Sequence, residues 1–176
     1  MIFEFGPYKV DIDIESTKQF YAAGSVSERC SCDGCRNYEK AVNTLPSEVQ
    51  NFFASLGVDI SKACEVYVNC GNADGTLLYG GFYHLCGSVL EGSSAWVAAN
   101  PVVRSRLSAW VMRRRSIGRS VVSHWEESRA FQIADDFSVS FQPECALLEK
   151  NFPLPALQLE ISARIPWVLP GENPYQ

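Results

Sequence analysis

The sequence predicts an α+β fold in which an antiparallel sheet packs against helices near the N-terminus. Helical patterns lie in residues 1–57, around a cysteine-rich loop, whereas alternating strand patterns dominate residues 58–169. Helices followed by strands favour α+β over an alternating α/β order. The 176 residues, 47% apolar and 20% charged, have the size and composition of one folded domain.

The N-terminal part is predicted to contain one strand and three helices. Apolar residues alternate from Tyr8 to Ile14, as in a strand with one covered face. Helices are predicted over residues 15–23, over residues 37–42 and from Pro46, since proline suits the first helical turn. Four apolar residues of the third helix repeat with a period of 3.6: Val49, Phe52, Phe53 and Leu56.

The later part of the chain is predicted to form the sheet. Residues 65–70 and 76–90 flank the turn signal Asn72-Ala73-Asp74-Gly75, so we expect a hairpin. Residues 137–141 and 157–165 alternate apolar with polar side chains, which is typical of antiparallel strands with one wet face.

Two segments are expected to lie outside this sheet. Residues 100–129 form a basic excursion, with seven arginines against two glutamates, and the tail of residues 170–176 contains two prolines and is expected to be loose. Arginines can bind phosphate, so weak nucleic-acid binding through Arg104–Arg119 is one hypothesis. The net charge of −5 counts against a general nucleic-acid binder, and a solvated basic face is the alternative.

The cysteine content is an indication of the cellular compartment. The chain shows no signal peptide and no uncharged apolar run of the roughly 20 residues that a membrane helix needs. Seven cysteines in such a chain are expected to be reduced thiols or metal ligands. We therefore expect a cytoplasmic protein without a membrane partner.

The strongest chemical signal is the cluster of Cys30, Cys32 and Cys35. Zinc prefers tetrahedral sulfur and nitrogen ligands, with Cys-x2-Cys among its usual spacings, and Gly34 permits a tight turn. His84 and Cys86 are the preferred candidates for a fourth ligand, because two residues apart on a predicted strand share a face. The cluster is only half of a zinc-ribbon motif, so three thiols without a metal are the alternative. The other candidates for the fourth ligand are Cys64, Cys70 and Cys145.

Thiol chemistry is a further hypothesis for the same cluster. Cys32-Asp33-Gly34-Cys35 is formally a C-x-x-C motif, and Cys35 is expected at a helix N-terminus, where partial positive charge lowers a thiol pKa. The βαβ context of a thioredoxin-like motif is missing. The tryptophans are interpreted as core or rim aromatics, since no nucleic-acid-binding signature accompanies them: Trp96, Trp110, Trp125 and Trp167.

Two motifs resemble those of a small family of bacterial proteins. They are Cys30-x-Cys32-x2-Cys35-x-Asn37-Tyr38 and Gly81-x-Tyr83-His84-x2-Gly87. The resemblance covers most of the chain apart from residues 100–129. It implies a bacterial cytoplasmic protein and brings no activity with it.

The leading hypothesis is a non-enzymatic binding protein with a protein partner and a structural zinc ion at the cysteine cluster. Zinc closed by four protein ligands holds a loop and does not activate water. An immunity-type or antitoxin-like role is a specific version, because a small acidic protein suits a basic partner. The alternatives are a thiol-dependent enzyme using Cys32 or Cys35 and the weak nucleic-acid binder described above.

Overall fold

The structure, a computed structural model, describes residues 1–23, 30–98 and 123–176. The predicted arginine stretch Arg104–Arg119 and most of the basic excursion lie outside these residues. The described helices are α1 (Ile14–Ala22), α2 (Asp33–Ala41) and α3 (Ser47–Ser55), with short 3-10 helices at Val42–Thr44 and Glu127–Arg129. The strands are β1 (Ile2–Phe5), β2 (Tyr8–Ile12), β3 (Glu65–Gly71), β4 (Thr76–Glu91), β5 (Trp96–Ala98), β6 (Ser123–Trp125), β7 (Phe131–Ala134), β8 (Phe137–Gln142) and β9 (Ala156–Pro166).

Seven strands form one antiparallel sheet in the order β1-β2-β4-β9-β8-β7, and β3 also pairs with β4. The predicted α+β class is confirmed, as is the predicted β3–β4 hairpin. Strand β1 was not predicted; it pairs with β2 through a tight turn in which Gly6 has a positive φ of 55°. A separate ribbon pairs β5 with β6. No helix in the described ranges is long and apolar enough to cross a membrane.

The core lies between the sheet and the helices. Tyr83 of β4 is fully buried, and its ring packs edge-on against Phe53 of α3 with centroids 5.0 Å apart. Its hydroxyl donates to the Ile60 carbonyl oxygen and contacts the Tyr38 hydroxyl of α2. Buried tyrosine hydroxyls usually find such partners. These contacts fix α2 and α3 against one face of β4.

Helix α1 covers a gap in the pairing of β4. Residues 77–82 of β4 pair with β3 and residues 87–91 pair with β2, so the edge between them has no strand partner. The Tyr21 hydroxyl donates to the His84 carbonyl oxygen, and the Cys86 amide donates to the Thr17 hydroxyl. The Asp13 amide donates to the Cys86 carbonyl oxygen. Backbone groups that a strand would pair are thus satisfied by α1 and its N-cap residue.

The face of the sheet opposite the helices carries a buried polar network centred on Glu160. Its carboxylate accepts hydrogen bonds from Gln142, Gln158 and Ser94 at 3.0 to 3.1 Å. The side chain is 7% exposed, and burial raises the pKa of its carboxyl above the usual 4.5, although the bonds from Ser94 and Gln158 oppose that shift. The carboxylate is therefore held by hydrogen bonds against a cost of desolvation.

Replacing Glu160 with Gln is expected to flatten the pH dependence of stability. Because the folded pKa is raised, the folded state binds more protons than the unfolded state above pH 4.5, so the unfolding free energy falls as pH rises through this window. Glu160→Gln removes that fall and keeps the side-chain shape. Urea unfolding between pH 4 and 7 measures it, with the exposed Glu91→Gln as control. Equal slopes for the wild type and Glu160→Gln would contradict the assignment.

Candidate metal centre

The sulfur atoms of Cys30, Cys32 and Cys35 lie within 4.8 Å of one another. Cys32 immediately precedes α2 and has an extended backbone, with φ of −66° and ψ of 160°, and Cys35 lies in the first helical turn. One turn of helix therefore brings the sulfurs of Cys32 and Cys35 to the same side. The Cys32 amide faces the Cys30 sulfur at 3.5 Å, which folds the preceding residues back onto the helix.

The start of α2 is anchored to the sheet. The Cys35 thiol donates to the Val66 carbonyl oxygen of β3 at 3.8 Å, and the Tyr79 hydroxyl donates to the Gly34 carbonyl oxygen at 2.9 Å. A Cβ atom at Gly34 would lie 3.0 Å from Val68 and 2.8 Å from the hydroxyl of Tyr175, so helix, sheet and tail approach closely there. That the tail of residues 170–176 is loose stays a prediction. Cys35 is therefore held by fixed structure, whereas Cys30 and Cys32 are exposed.

The surroundings of Cys32 and Cys35 shift their thiol pKa values in opposite directions. The Cys35 amide, followed by the Cys30 thiol, lowers the pKa of Cys32. Burial, followed by the neighbouring Cys32 and Cys30 sulfurs, raises the pKa of Cys35 to about 12. The expectation of a lowered pKa at Cys35 is therefore wrong, because burial outweighs the effect of the helix N-terminus, and the lowered pKa is that of Cys32. A divalent cation supplies the positive charge that full deprotonation requires.

The spacing of the sulfurs is compatible with zinc. A tetrahedral zinc with Zn–S bonds of about 2.3 Å places its sulfurs about 3.8 Å apart. The three sulfurs here are already within 4.8 Å of one another. Side-chain rotations that move each sulfur by about 1 Å are therefore sufficient to reach the zinc spacing. The cluster can therefore hold a metal ion through three protein ligands.

The structure does not bring His84 or Cys86 into this cluster. Successive side chains of a strand point to opposite faces. Tyr83 contacts α2, which contains Cys35 and directly follows Cys32, so His84 and Cys86 point to the other face of β4. Among the residues the structure describes, the group of converging ligands contains no fourth protein donor. The preferred fourth ligands of the sequence analysis are therefore located elsewhere.

His84 instead pairs with Cys64. Its Nδ1 lies 3.3 Å from the Cys64 sulfur, and its Nε2 lies 2.9 Å from the Ala146 carbonyl oxygen. Because a carbonyl only accepts, Nε2 carries the proton and the Cys64 thiol donates to Nδ1. Burial raises the pKa of Cys64 to about 11 and lowers the pKa of His84. The pair is therefore neutral at pH 7, unlike an activated thiolate–imidazolium pair.

Sequence reasoning missed this pair because its members are 20 residues apart and share no local motif. The remaining cysteines also stay apart from the cluster in the described ranges: Cys70 is exposed on β3, and Cys145 lies in the connection between β8 and β9. The structure thus singles out three of the seven cysteines as a group.

No protein-family model, curated protein or solved structure shows significant similarity to the chain. The resemblance to a bacterial family, carried by the motifs around Cys30–Tyr38 and Gly81–Gly87, stays a prediction. Function therefore has to be inferred from the geometry of the described residues.

Proposed function

We propose that this chain is a non-enzymatic bacterial cytoplasmic binding protein in which Cys30, Cys32 and Cys35 hold a structural zinc ion. The observation that carries the proposal is the convergence of the three sulfurs at the start of α2. Sulfur donors at C-x2-C spacing are the ligands that structural zinc prefers. Zinc is favoured over magnesium or calcium because those ions take oxygen ligands.

Such a zinc ion ties an exposed segment to the folded core. Cys35 is anchored to Val66 of β3, whereas Cys30 is exposed. Bonds from one ion to both residues fix the chain entering α2. Binding that occurs only in the folded state adds stability by mass action.

The fourth zinc ligand is proposed to come from water or from a partner molecule. The exposure of Cys30 and Cys32 makes the ion reachable from solvent. A partner protein that contributes a side chain would couple metal binding to recognition, and the net charge of −5 suits a basic partner. An immunity-type or antitoxin-like role is the specific form of this proposal.

Zinc content tests the proposal directly. Protein purified without added zinc is expected to carry about one equivalent per chain, which elemental analysis measures. Cys35→Ser and Cys32→Ser are each expected to lose the metal, because a hydroxyl is not a thiolate ligand. Cys70→Ser is the matched control, since Cys70 is also exposed but lies outside the cluster. Absence of zinc binding by the reduced wild-type protein at micromolar metal would exclude a zinc site.

Metal removal separates a structural ion from an adventitious one. With free zinc at 100 times the dissociation constant, the folded state is expected to gain about 2.7 kcal/mol. Chelation should therefore lower the melting temperature of the wild-type protein and leave Cys35→Ser unaffected. Equal melting temperatures for the zinc-loaded and chelated wild-type protein would contradict the structural role.

A thiol-dependent enzyme is the second candidate, supported by the lowered pKa of Cys32. In this case Cys32 reacts with a thiol reporter well below the normal cysteine pKa of about 8.5. Cys32→Ser should remove the fast phase, and Cys145→Ser should leave it. A fast Cys32 in a protein that binds no zinc favours the enzyme; a slow, zinc-protected Cys32 favours the structural site.

A further inference from the structure

A cavity of about 310 Å³ lies far along the chain from the cysteine cluster, between the β5–β6 ribbon and the sheet face that carries Glu160. This volume is at the lower end of the range for small-molecule sites. Strands β3, β4 and β9 contribute the wall, and the ribbon contributes two indole rings. The residues that matter here are Asn69, Gly80, Trp96, Trp125 and Ser162.

The two tryptophans form a cross-strand aromatic pair. Trp96 and Trp125 are directly opposite each other in the ribbon, with ring centroids 5.5 Å apart and planes at 79°. In such an edge-to-face pair, one ring contacts its partner only through its edge. The partner therefore covers neither of the two faces of that ring. Both rings are half-buried and line the cavity. The cavity therefore offers an indole surface on which a planar ring can stack.

A third aromatic ring lies next to this surface. Tyr67 of β3 is opposite Gly80 of β4, and a Cβ atom at Gly80 would lie 2.6 Å from the Tyr67 ring. Glycine at this position therefore lets the tyrosine ring lie directly over the strand. Replacing Gly80 would displace the ring beside the cavity.

Polar groups without partners also line the cavity. Asn69 is the extra residue of a β-bulge between Val68 and Cys70, and bulges often redirect a side chain at a functional site. Within the described ranges, the side chains of Asn69 and Ser162 form no hydrogen bond. The cavity thus combines ring faces with unused donors and acceptors.

We propose that this cavity binds a nucleobase, the planar heteroaromatic ring of a nucleoside or nucleotide. Nucleobases stack on aromatic side chains. An asparagine amide can pair with the adenine edge through one donor and one acceptor. The ring nitrogens and carbonyl groups of a base are also acceptors for the Ser162 hydroxyl. A quaternary ammonium also binds tryptophan, but it has no donor or acceptor with which the Asn69 amide can pair.

This site goes beyond the proposed zinc function and does not depend on it. None of the cavity-lining residues belongs to the cysteine cluster. Nucleobase binding is therefore expected both in the zinc-loaded protein and in the chelated protein. Failure of either site leaves the other intact.

The experiment titrates the full chain with adenosine, using ligand-observed NMR and calorimetry, with ribose as the non-aromatic control. Saturable binding of adenosine and not of ribose is expected. Trp125→Leu, which removes the stacking ring, and Asn69→Ala should each weaken adenosine binding about tenfold. Trp167→Leu is the matched control, because Trp167 is also half-buried but does not line the cavity.

The outcomes are distinguishable. Asn69 is exposed, so Asn69→Ala is expected to fold even if the tryptophan variant does not. The site is excluded if adenosine does not saturate at millimolar concentration, or if ribose binds equally. It is also excluded if Trp125→Leu and Asn69→Ala bind adenosine as the wild type does. Binding of adenosine monophosphate alone, lost when Arg113, Arg114 and Arg115 are replaced, would assign the affinity to the basic stretch and overturn the proposal.

Discussion

Replacing Gly87 with alanine is expected to lower the unfolding free energy by about 3 kcal/mol. Gly87 has a φ of 152°, in the region that favours glycine, and its amide donates to the Pro155 carbonyl oxygen. An added Cβ atom would lie far inside van der Waals contact with the Asp11 carbonyl oxygen and 3.0 Å from the Ile12 Cα atom. Because the obstacles are backbone atoms, the β2–β4 pairing has to shift.

Urea unfolding of Gly87→Ala measures this loss. Gly171→Ala is the matched control: Gly171 has a φ of 101°, but an added Cβ atom there meets nothing within 4 Å. The control should lose only the backbone strain of about 1 kcal/mol. Equal losses in the two variants would show that the β2–β4 contact is not tight.

Replacing Asn37 with Leu is expected to cost about 3 kcal/mol of stability. Asn37 of α2 is completely buried. Its amide donates to the Pro166 carbonyl oxygen at 3.0 Å and to the Tyr79 hydroxyl at 3.2 Å, and its carbonyl oxygen accepts from the Val168 amide at 2.7 Å. Leucine has a similar size but leaves the backbone groups of Pro166 and Val168 unpaired.

The control for this prediction is Asn43→Leu. Asn43 is exposed and donates to the Glu39 carbonyl oxygen at 2.9 Å, so its replacement is expected to change stability by less than about 0.5 kcal/mol. Thermal unfolding followed by circular dichroism compares the two variants. A loss at Asn37 no larger than that at Asn43 would mean that α2 is not fixed through this side chain. Because Cys32 and Cys35 lie at the N-terminal end of α2, the same variant should also weaken zinc binding.

The strands of the sheet were predictable where the alternation of apolar and polar residues is clear within the strand itself. Strand β9 was predicted over residues 157–165 and spans Ala156–Pro166, because its alternation is uninterrupted. Strand β1 was missed because it has four residues and is followed by Gly6 and Pro7, which resemble a loop. Short strands of this kind depend on pairing with a neighbour, which local sequence does not reveal.

Helix α2 illustrates how tertiary contacts override propensity. A helix was predicted only over residues 37–42, and glycine and cysteine in the preceding residues are poor helix formers. The observed helix begins at Asp33. The Tyr79 hydroxyl bonded to Gly34 and the buried Asn37 hold that first turn in place.

The candidate site was predictable only in part, because only some of its contacts are local in the sequence. Three cysteines within six residues are close in any compact conformation, so their convergence follows from the sequence. The fourth ligand depends on which face of β4 receives α2. Tyr83 lies on that face, whereas His84 and Cys86 lie on the opposite face. The Trp96–Trp125 pair was interpreted as core or rim, because its opposition across two strands is not a local property.

The covering of β4 by α1 has a consequence for self-association. The hydroxyls of Thr17 and Tyr21 occupy the positions that the backbone of an incoming strand would take. As long as the helix is docked, a second molecule cannot extend the sheet between β2 and β3. Protection of this edge of β4 against strand addition therefore depends on two side chains of a nine-residue helix. Release of that helix would expose the edge as a template for aggregation.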